Sequence, residues 1–312
     1  MANLQIIFAG SGQFGVPTLK ALLDSRHTVV QVITQPDRPA GRGRGLAATP
    51  VGKVAEEADI PLLRTENINR ESLPVADLMV VIAFGQKISA EKVNHPRLGS
   101  INLHASRLPL YRGAAPINWA IINGDTVTGN SIIRLAQQMD AGAILAQSIL
   151  KIGEVETAGE LHDRLSQDGV ELALTVVNQL ANGTAVEIAQ NDAAATAAPK
   201  LSRESARLDF SHPADELARR MRGLYPWPGC RVRICDAEGT ELSRLRLIRG
   251  RVHHEDDSRW EPGEITSTGA IQTGAGTIEL LECQPEGGRP MPIDAYRRGH
   301  RWQAGLKLQS VD

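Results

Sequence analysis

Through the first half of the chain, short and nearly unbroken apolar runs recur at residues 4 to 9 (LQIIFA), 27 to 34 (HTVVQVIT), 78 to 85 (LMVVIAFG) and 100 to 104 (SINLH). A run that is apolar at almost every position, rather than at alternate ones, is what a parallel strand covered on both faces requires. Between these runs, residues 16 to 25 and 49 to 58 carry apolar side chains at helical spacing, with Pro17 and Pro50 near the helix starts, where a missing N–H costs nothing. The alternation predicts βαβ units and an α/β fold built on a doubly wound, mostly parallel sheet. Two further strand-like runs, 130 to 136 and 143 to 152, flank a turn at Asp140-Ala141-Gly142, and a helical pattern over 157 to 182 ends at Asn182-Gly183.

The texture changes after residue 190. Residues 191 to 199 (NDAAATAAP) are small and carry little pattern, and a basic segment follows, which predicts a linker over 191 to 206. From 207 onward short alternating runs (231 to 235, 242 to 250, 263 to 283) are separated by Gly or Pro and preceded by one helical pattern around 212 to 224. Strands at that spacing predict a small antiparallel barrel of the oligonucleotide-binding (OB) type. A length of 312 residues, beyond what one core usually fills, agrees with two domains, here 1–190 and 207–312.

Composition narrows the function little. With 42% apolar and 22% charged residues the chain has material for real cores and is not disordered. Lys plus Arg number 34 against 36 for Asp plus Glu, so any contact with a polyanion must come from local patches. Cys230, Cys235 and Cys283 lack CxxC spacing and read as reduced structural thiols of a cytoplasmic protein. Neither a charged leader nor a membrane-length apolar stretch is visible, so no membrane partner is expected.

Gly10-Ser11-Gly12-Gln13-Phe14-Gly15 matches GxGxxG between a strand and a helix, the setting of a dinucleotide fingerprint. That function also needs an acid closing the second strand, and the chain there reads Thr34-Gln35-Pro36 before Asp37. A sharp turn bringing a helix close to a sheet explains the glycines equally well. An NAD-dependent oxidoreductase therefore stays as an alternative, not as the leading one.

Stronger chemistry lies at residues 100 to 106, SINLHAS. Asn102 and His104 stand at i and i+2 at the end of a strand, so both side chains share one face at the carboxyl edge of the sheet, where α/β proteins bind ligands. An amide beside an imidazole can hold one carbonyl oxygen as charge grows on it. Asp140, in the turn downstream, is a carboxylate able to reach the same cleft and move a proton. The loop 106 to 116, rich in Pro and Gly, follows directly on this strand.

Here the sequence resembles the folate-dependent formyltransferases, whose N-x-H-x-S-L-L-P, R-G-x-x-P and D-x-G motifs are met by Asn102, His104, Ser106, Leu108, Pro109, Arg112, Gly113, Pro116, Asp140 and Gly142. Arg107 departs from the pattern, where leucine is usual. The resemblance implies a Rossmann-like formyltransferase fold with a C-terminal OB-like β-barrel domain, and Asn102, His104 and Asp140 as catalytic residues. It implies 10-formyltetrahydrofolate as co-substrate, no metal, and folate contacts from Phe84, Gly85, Gln86, Ile88, Ser106, Arg107, Leu108 and Pro109. Residues 34 to 46 (TQPDRPAGRGRGL), the segment 198 to 210 and Tyr225-Pro226-Trp227-Pro228-Gly229 resemble the members acting on methionyl initiator tRNA. For those the implied tRNA contacts are Arg38, Arg42, Arg44, Lys200, Arg244 and Arg246, in a monomer. From the residues alone, three arginines in a glycine-rich loop and arginines at strand spacing suit phosphates, or else simply face water. A formyltransferase for a small amine and a non-catalytic RNA-binding protein remain alternatives.

Overall fold

The computed structural model describes residues 2–40, 45–254 and 259–311. They form two compact units interleaved along the chain: Met1–Gly113, Thr128–Leu150 and His162–Ala198 make the first, and Ala114–Val127, Lys151–Leu161 and Pro199–Asp312 the second.

The first unit is organised by a seven-stranded sheet of β1 (Gln5–Gly10), β2 (Thr28–Thr34), β3 (Leu62–Arg64), β4 (Leu78–Ile82), β5 (Ser100–His104), β6 (Ser131–Arg134) and β7 (Ile144–Gln147). Its order is β7-β6-β5-β4-β1-β2-β3. The pairs β1–β2, β1–β4, β2–β3 and β4–β5 are parallel. β6 runs antiparallel to both of its neighbours, β5 and β7. This is a Rossmann-like sheet with an antiparallel edge. The unbroken apolar runs explain it: Ile6, Ile7, Phe8 and Ala9 of β1 are fully buried, so both faces of the strand are covered. Helices α1 (Val16–Leu23) and α2 (Pro50–Glu57) take Pro17 and Pro50 in their first turns, and Thr49 caps α2 by accepting the Gly52 N–H. The long pattern forms α3 (Ala158–Asn182), and Gly183 beyond it takes φ +69°.

The run 143 to 152 is not one strand, because pairing stops at Gln147 and resumes only in a separate two-residue strand, Leu150–Lys151. The chain also turns out of β4 at Ala83 (φ +48°), so residues 83 to 85 form a turn rather than the end of a strand.

The second unit is an antiparallel half-barrel of OB type. Its strands are β8 (Cys230–Cys235), β9 (Glu241–His253), β10 (Ile271–Gln272), β11 (Thr277–Pro285), β12 (Met291–Pro292) and β13 (Lys307–Ser310), ordered β10-β11-β9-β8-β13 with β12 also on β11. Helix α4 (Ala214–Gly223) packs Leu217 and Met221 into a core with Val232, Leu245, Leu247, Ile278 and Leu280. Cys230, Cys235 and Cys283 are free and buried, and burial pushes the Cys230 and Cys283 thiols up to about 12. Those two are inert packing residues at neutral pH.

Candidate active site

Alternation along β5 sends Ile101 and Leu103 into the core and leaves Asn102 and His104 on the other face. Asn102 is half-buried, lies between Val81 of β4 and Ile133 of β6, and its amide has no hydrogen-bond partner among the described residues. His104 is nearly buried. Its Nε2 lies 2.9 Å from the Tyr111 carbonyl oxygen, an acceptor only, so Nε2 carries a proton. That fixes the ring and turns Nδ1 toward Asp140, whose Oδ2 is 3.7 Å away.

Asp140 sits in the turn between β6 and β7 with φ +54°, in the left-handed region that is uncommon outside glycine but that aspartate takes more readily than most side chains. Its Oδ2 accepts the Gly113 N–H at 2.9 Å. No hydrogen bond to its Oδ1 forms among the described residues. Gly113 reaches this position because it has no side chain: at φ +129° it pairs with Ala198, and a Cβ would stand 2.5 Å from the Ala198 carbonyl oxygen. The imidazole and the carboxylate predicted from separate stretches thus meet, with the Asn102 amide two residues from His104 on the same strand. Tyr111 and Gly113, whose backbone groups orient the pair, carry no chemical signal in the sequence. Only the R-G step hints at the second.

The folate candidates divide by what their side chains already do. Phe84 is buried among Ile7, Ala9, Ile33, Met79 and Val81, and its carbonyl accepts from Gln35 and Ser11. Gln86 spends its amide on the Thr65 carbonyl and the Ile68 N–H. Ile88 is half-buried against the same core as Phe84. Ser106 is fully buried and donates to the Leu110 carbonyl at 2.6 Å. Leu108 packs on Ile133 and Ile144, while its N–H donates to Ser131 and its carbonyl accepts from Gln147. The side chains of Phe84, Gln86, Ser106 and Leu108 are therefore all engaged within the protein. The peptide groups of Gly85, Gln86 and Ile88 have no backbone partner among the described residues. Arg107 points outward and Pro109 is half-buried.

Among the tRNA candidates, Arg42 and Arg44 lie outside the described residues. Arg38 is exposed on a strand, Arg38–Ala40, paired with Gly45–Ala47, and donates to Gln35 at 2.8 Å. Lys200 is exposed. Arg244 and Arg246 share the outer face of β9, and the register sets Arg233 opposite Arg244 and Arg231 opposite Arg246. Directly opposed like charges weaken a sheet, and here two such pairs adjoin. Of these four, only Arg244 has a carboxylate partner among the described residues, Glu241 at 2.7 Å; Arg233 and Arg246 reach the neutral Gln309 and Gln284. Burial, with the Arg231 charge beside it, lowers the Arg246 pKa below the usual arginine value, and its Nε is buried without a hydrogen-bond partner among the described residues. Arg231, Arg244, Arg246 and Gln284 line a depression of about 180 Å³. Arg231 and Arg233 were not among the predicted residues, although R-V-R in a strand already puts them on one face.

The first glycine of the G-x-G-x-x-G motif is required by packing. A Cβ on Gly10 would stand 2.8 Å from the Ile82 carbonyl oxygen and 2.9 Å from the Phe8 ring. The residue after β2 is Gln35, whose amide is committed to Phe84. Among the described residues no group of three or more His, Cys, Asp or Glu is disposed to hold a metal ion, and no helix is long and apolar enough to cross a membrane.

Comparison with known proteins agrees with this architecture. The formyl transferase family model matches residues 2–177, and the formyl transferase C-terminal domain model matches 200–301. The methionyl-tRNA formyltransferase of Geobacter sulfurreducens is 37% identical over 318 aligned residues, covering 99% of this chain and 98% of its own. That of Ectopseudomonas mendocina is 39% identical, covering 98% of each. Among solved structures, the Helicobacter canadensis N-formyltransferase in complex with folinic acid and dTDP-3-aminofucose superposes with a TM-score of 0.64 at 17% identity, over 89% of this chain and 99% of that one. WlaRD, a sugar 3N-formyl transferase solved with dTDP and 5-N-formyl-THF, gives 0.61 at 15% identity over 100% and 99%. At such identities these two speak for the fold alone.

Proposed function

The chain belongs to the formyl transferase family, and on that premise we propose that it transfers the formyl group of 10-formyltetrahydrofolate to the α-amine of methionyl initiator tRNA. The observation that carries the substrate is the match, at 37 to 39% identity over nearly the whole chain, to relatives named methionyl-tRNA formyltransferase. The arginine face of β8 and β9 supports a polyanionic partner.

In the mechanism, Asn102 and His104 hold the formyl oxygen. The amide is a fixed donor, and the Nδ1–H of the imidazolium is the second, its charge supported by Asp140 at 3.7 Å. The neutral amine attacks the formyl carbon. Asp140 takes the amine proton on Oδ1, the oxygen left open while Gly113 holds Oδ2. When the bond from the formyl carbon to N10 of the folate breaks, the same carboxyl returns the proton to N10. Bonds and protons balance without a covalent enzyme intermediate.

The folate is assigned to the loops at 84–88 and 106–109, with the free peptide groups of Gly85, Gln86 and Ile88 reading the pterin edge. Phe84, Ser106 and Leu108 support those loops from behind. The tRNA is assigned to Arg38, Arg42, Arg44 and Lys200 together with Arg244 and Arg246. The reading takes the protein as a cytoplasmic monomer, in keeping with its three buried, unpaired thiols. The test is the purified protein with methionyl-tRNA and 10-formyltetrahydrofolate, following formyl on the amino acid. Product with methionyl initiator tRNA and none with free methionine supports the proposal, whereas formylation of an amino sugar nucleotide alone refutes it.

A further inference from the structure

We propose that Gln190 is the positioning residue of this site, clamping the turn that carries Asp140 to the segment that holds its carboxylate. The inference rests on the assignment of Asp140 as proton acceptor. Gln190 Nε2 donates to the carbonyls of Asp140 at 2.7 Å and Gly142 at 2.8 Å. Its Oε1 accepts from Arg112 Nε at 3.1 Å and Nη2 at 2.7 Å, and the same Nη2 reaches Asp192 at 2.7 Å. Both hydrogens and both lone pairs of the carboxamide are engaged, so its orientation is fixed.

The connections close a ring. Arg112 immediately precedes Gly113, and Gly113 N–H holds the Asp140 carboxylate. The backbone of Asp140 is therefore tied through Gln190 to the same dipeptide that its side chain reaches directly. This ring does what a direct contact does not. At 3.7 Å, His104 Nδ1 and Asp140 Oδ2 are beyond hydrogen-bond length, so their spacing is set by what holds each group separately. For His104 that is the Tyr111 carbonyl, with Tyr111 N–H in turn on Thr196 Oγ1 at 2.8 Å. For Asp140 it is Gln190 and Gly113. The clamp also holds the carbonyl on the far side of the left-handed φ of +54° that aims the Asp140 side chain.

The experiment compares Gln190→Met, which keeps volume and loses every hydrogen bond, with Gln190→Glu, which keeps an acceptor for Arg112 and replaces the donor to the two carbonyls by a carboxylate oxygen that repels them. Expected are melting temperatures near that of the parent and a kcat lowered about tenfold or more, since misplacement of a reacting group by about 1 Å costs about 100-fold. KM for folate and for methionyl-tRNA should stay within about twofold, as expected when an interaction made only in the transition state is lost. A double-mutant cycle with Asp140→Asn isolates the mechanism. If Gln190 acts through Asp140, adding Gln190→Glu to Asp140→Asn lowers the residual rate no further. A multiplicative loss in the cycle, or a parent-like kcat in soluble Gln190→Glu, overturns the inference. Parent-like activity in Asp140→Asn itself overturns instead the assignment on which it rests.

Discussion

Asp140, the proposed proton acceptor, shows how little of a site's geometry lies in side-chain type. Its carboxylate is one of many, but its left-handed backbone, the Gly113 N–H and the Gln190 clamp give it one orientation. The sequence carries this unevenly. That Asn102, His104 and Asp140 are candidates for one site was legible from strand alternation and from the formyltransferase-like N-x-H and D-x-G motifs, not from the residue types alone. Where the side chains of Leu108 and Phe84 point was not legible, since it depends on partners distant in the chain: Ile133 and Ile144 for the first, the β1 and β4 core for the second. Gly113 gives a sharp prediction. Gly113→Ala puts a methyl 2.5 Å from the Ala198 carbonyl, so the chain must shift and the hydrogen bond to Asp140 is lost. The variant should melt lower, by about 1 to 3 kcal/mol in stability. Its kcat should fall about tenfold or more while methionyl-tRNA binding by filter retention stays unchanged. A parent-like kcat would show that the Gly113 bond does not matter to the carboxylate.

Elements were readable where the period was long or the run fully apolar. The central strands and the 25-residue α3 stand close to their predicted limits. Short pieces escaped: Leu62–Arg64 has three residues and no alternation to detect, and the helix Pro116–Ile122 opens inside a stretch whose Pro and Gly read as loop. Two elements of the first unit are joined by a titratable contact. Buried His27, just ahead of β2, accepts the Leu4 N–H on Nδ1 and meets Asn178 of α3 through Nε2 at 3.3 Å. Burial holds its pKa below the ordinary value, against the Asn178 hydrogen bond that raises it and with the Arg26 charge that lowers it further. The unfolded chain takes up that proton near the usual value of about 6.5 and the folded chain resists it. The contribution to stability is therefore complete above that pH and is lost as pH falls from there toward the lower folded value. Melting curves between pH 8 and 5 should contain this decline, and His27→Asn, which keeps an acceptor for Leu4, should lack that component. An identical pH dependence in the variant would remove His27 as its source.

For the whole molecule, net charge was a poor guide and register a good one. A balance of -2 conceals four arginines paired across β8 and β9, which become visible as a group only once Arg231 is set against Arg246 and Arg233 against Arg244. The interleaving of the two units, with 114–127 and 151–161 belonging to the second, was equally hidden, because no composition change marks those segments. If this face takes tRNA phosphates, Arg231→Ala and Arg246→Ala should each reduce the slope of log affinity against log salt by about one. They should weaken binding of charged and uncharged tRNA alike and leave kcat at saturating tRNA unaltered. An unchanged slope would leave these arginines out of the interface.

In the proposed mechanism Asn102, His104 and Asp140 surround one formyl carbonyl while methionyl-tRNA attacks it. Its most direct measure is the single-turnover rate of formyl transfer from 10-formyltetrahydrofolate to methionyl-tRNA, with both substrates bound beforehand, in the parent and in Asn102→Ala, His104→Ala and Asp140→Asn. Complete formylation by the parent is expected, with rates lower by about 100 to 1,000-fold in each variant and both substrates still bound. A parent that yields no formylmethionyl-tRNA, or variants that transfer at the parent's rate, would contradict it.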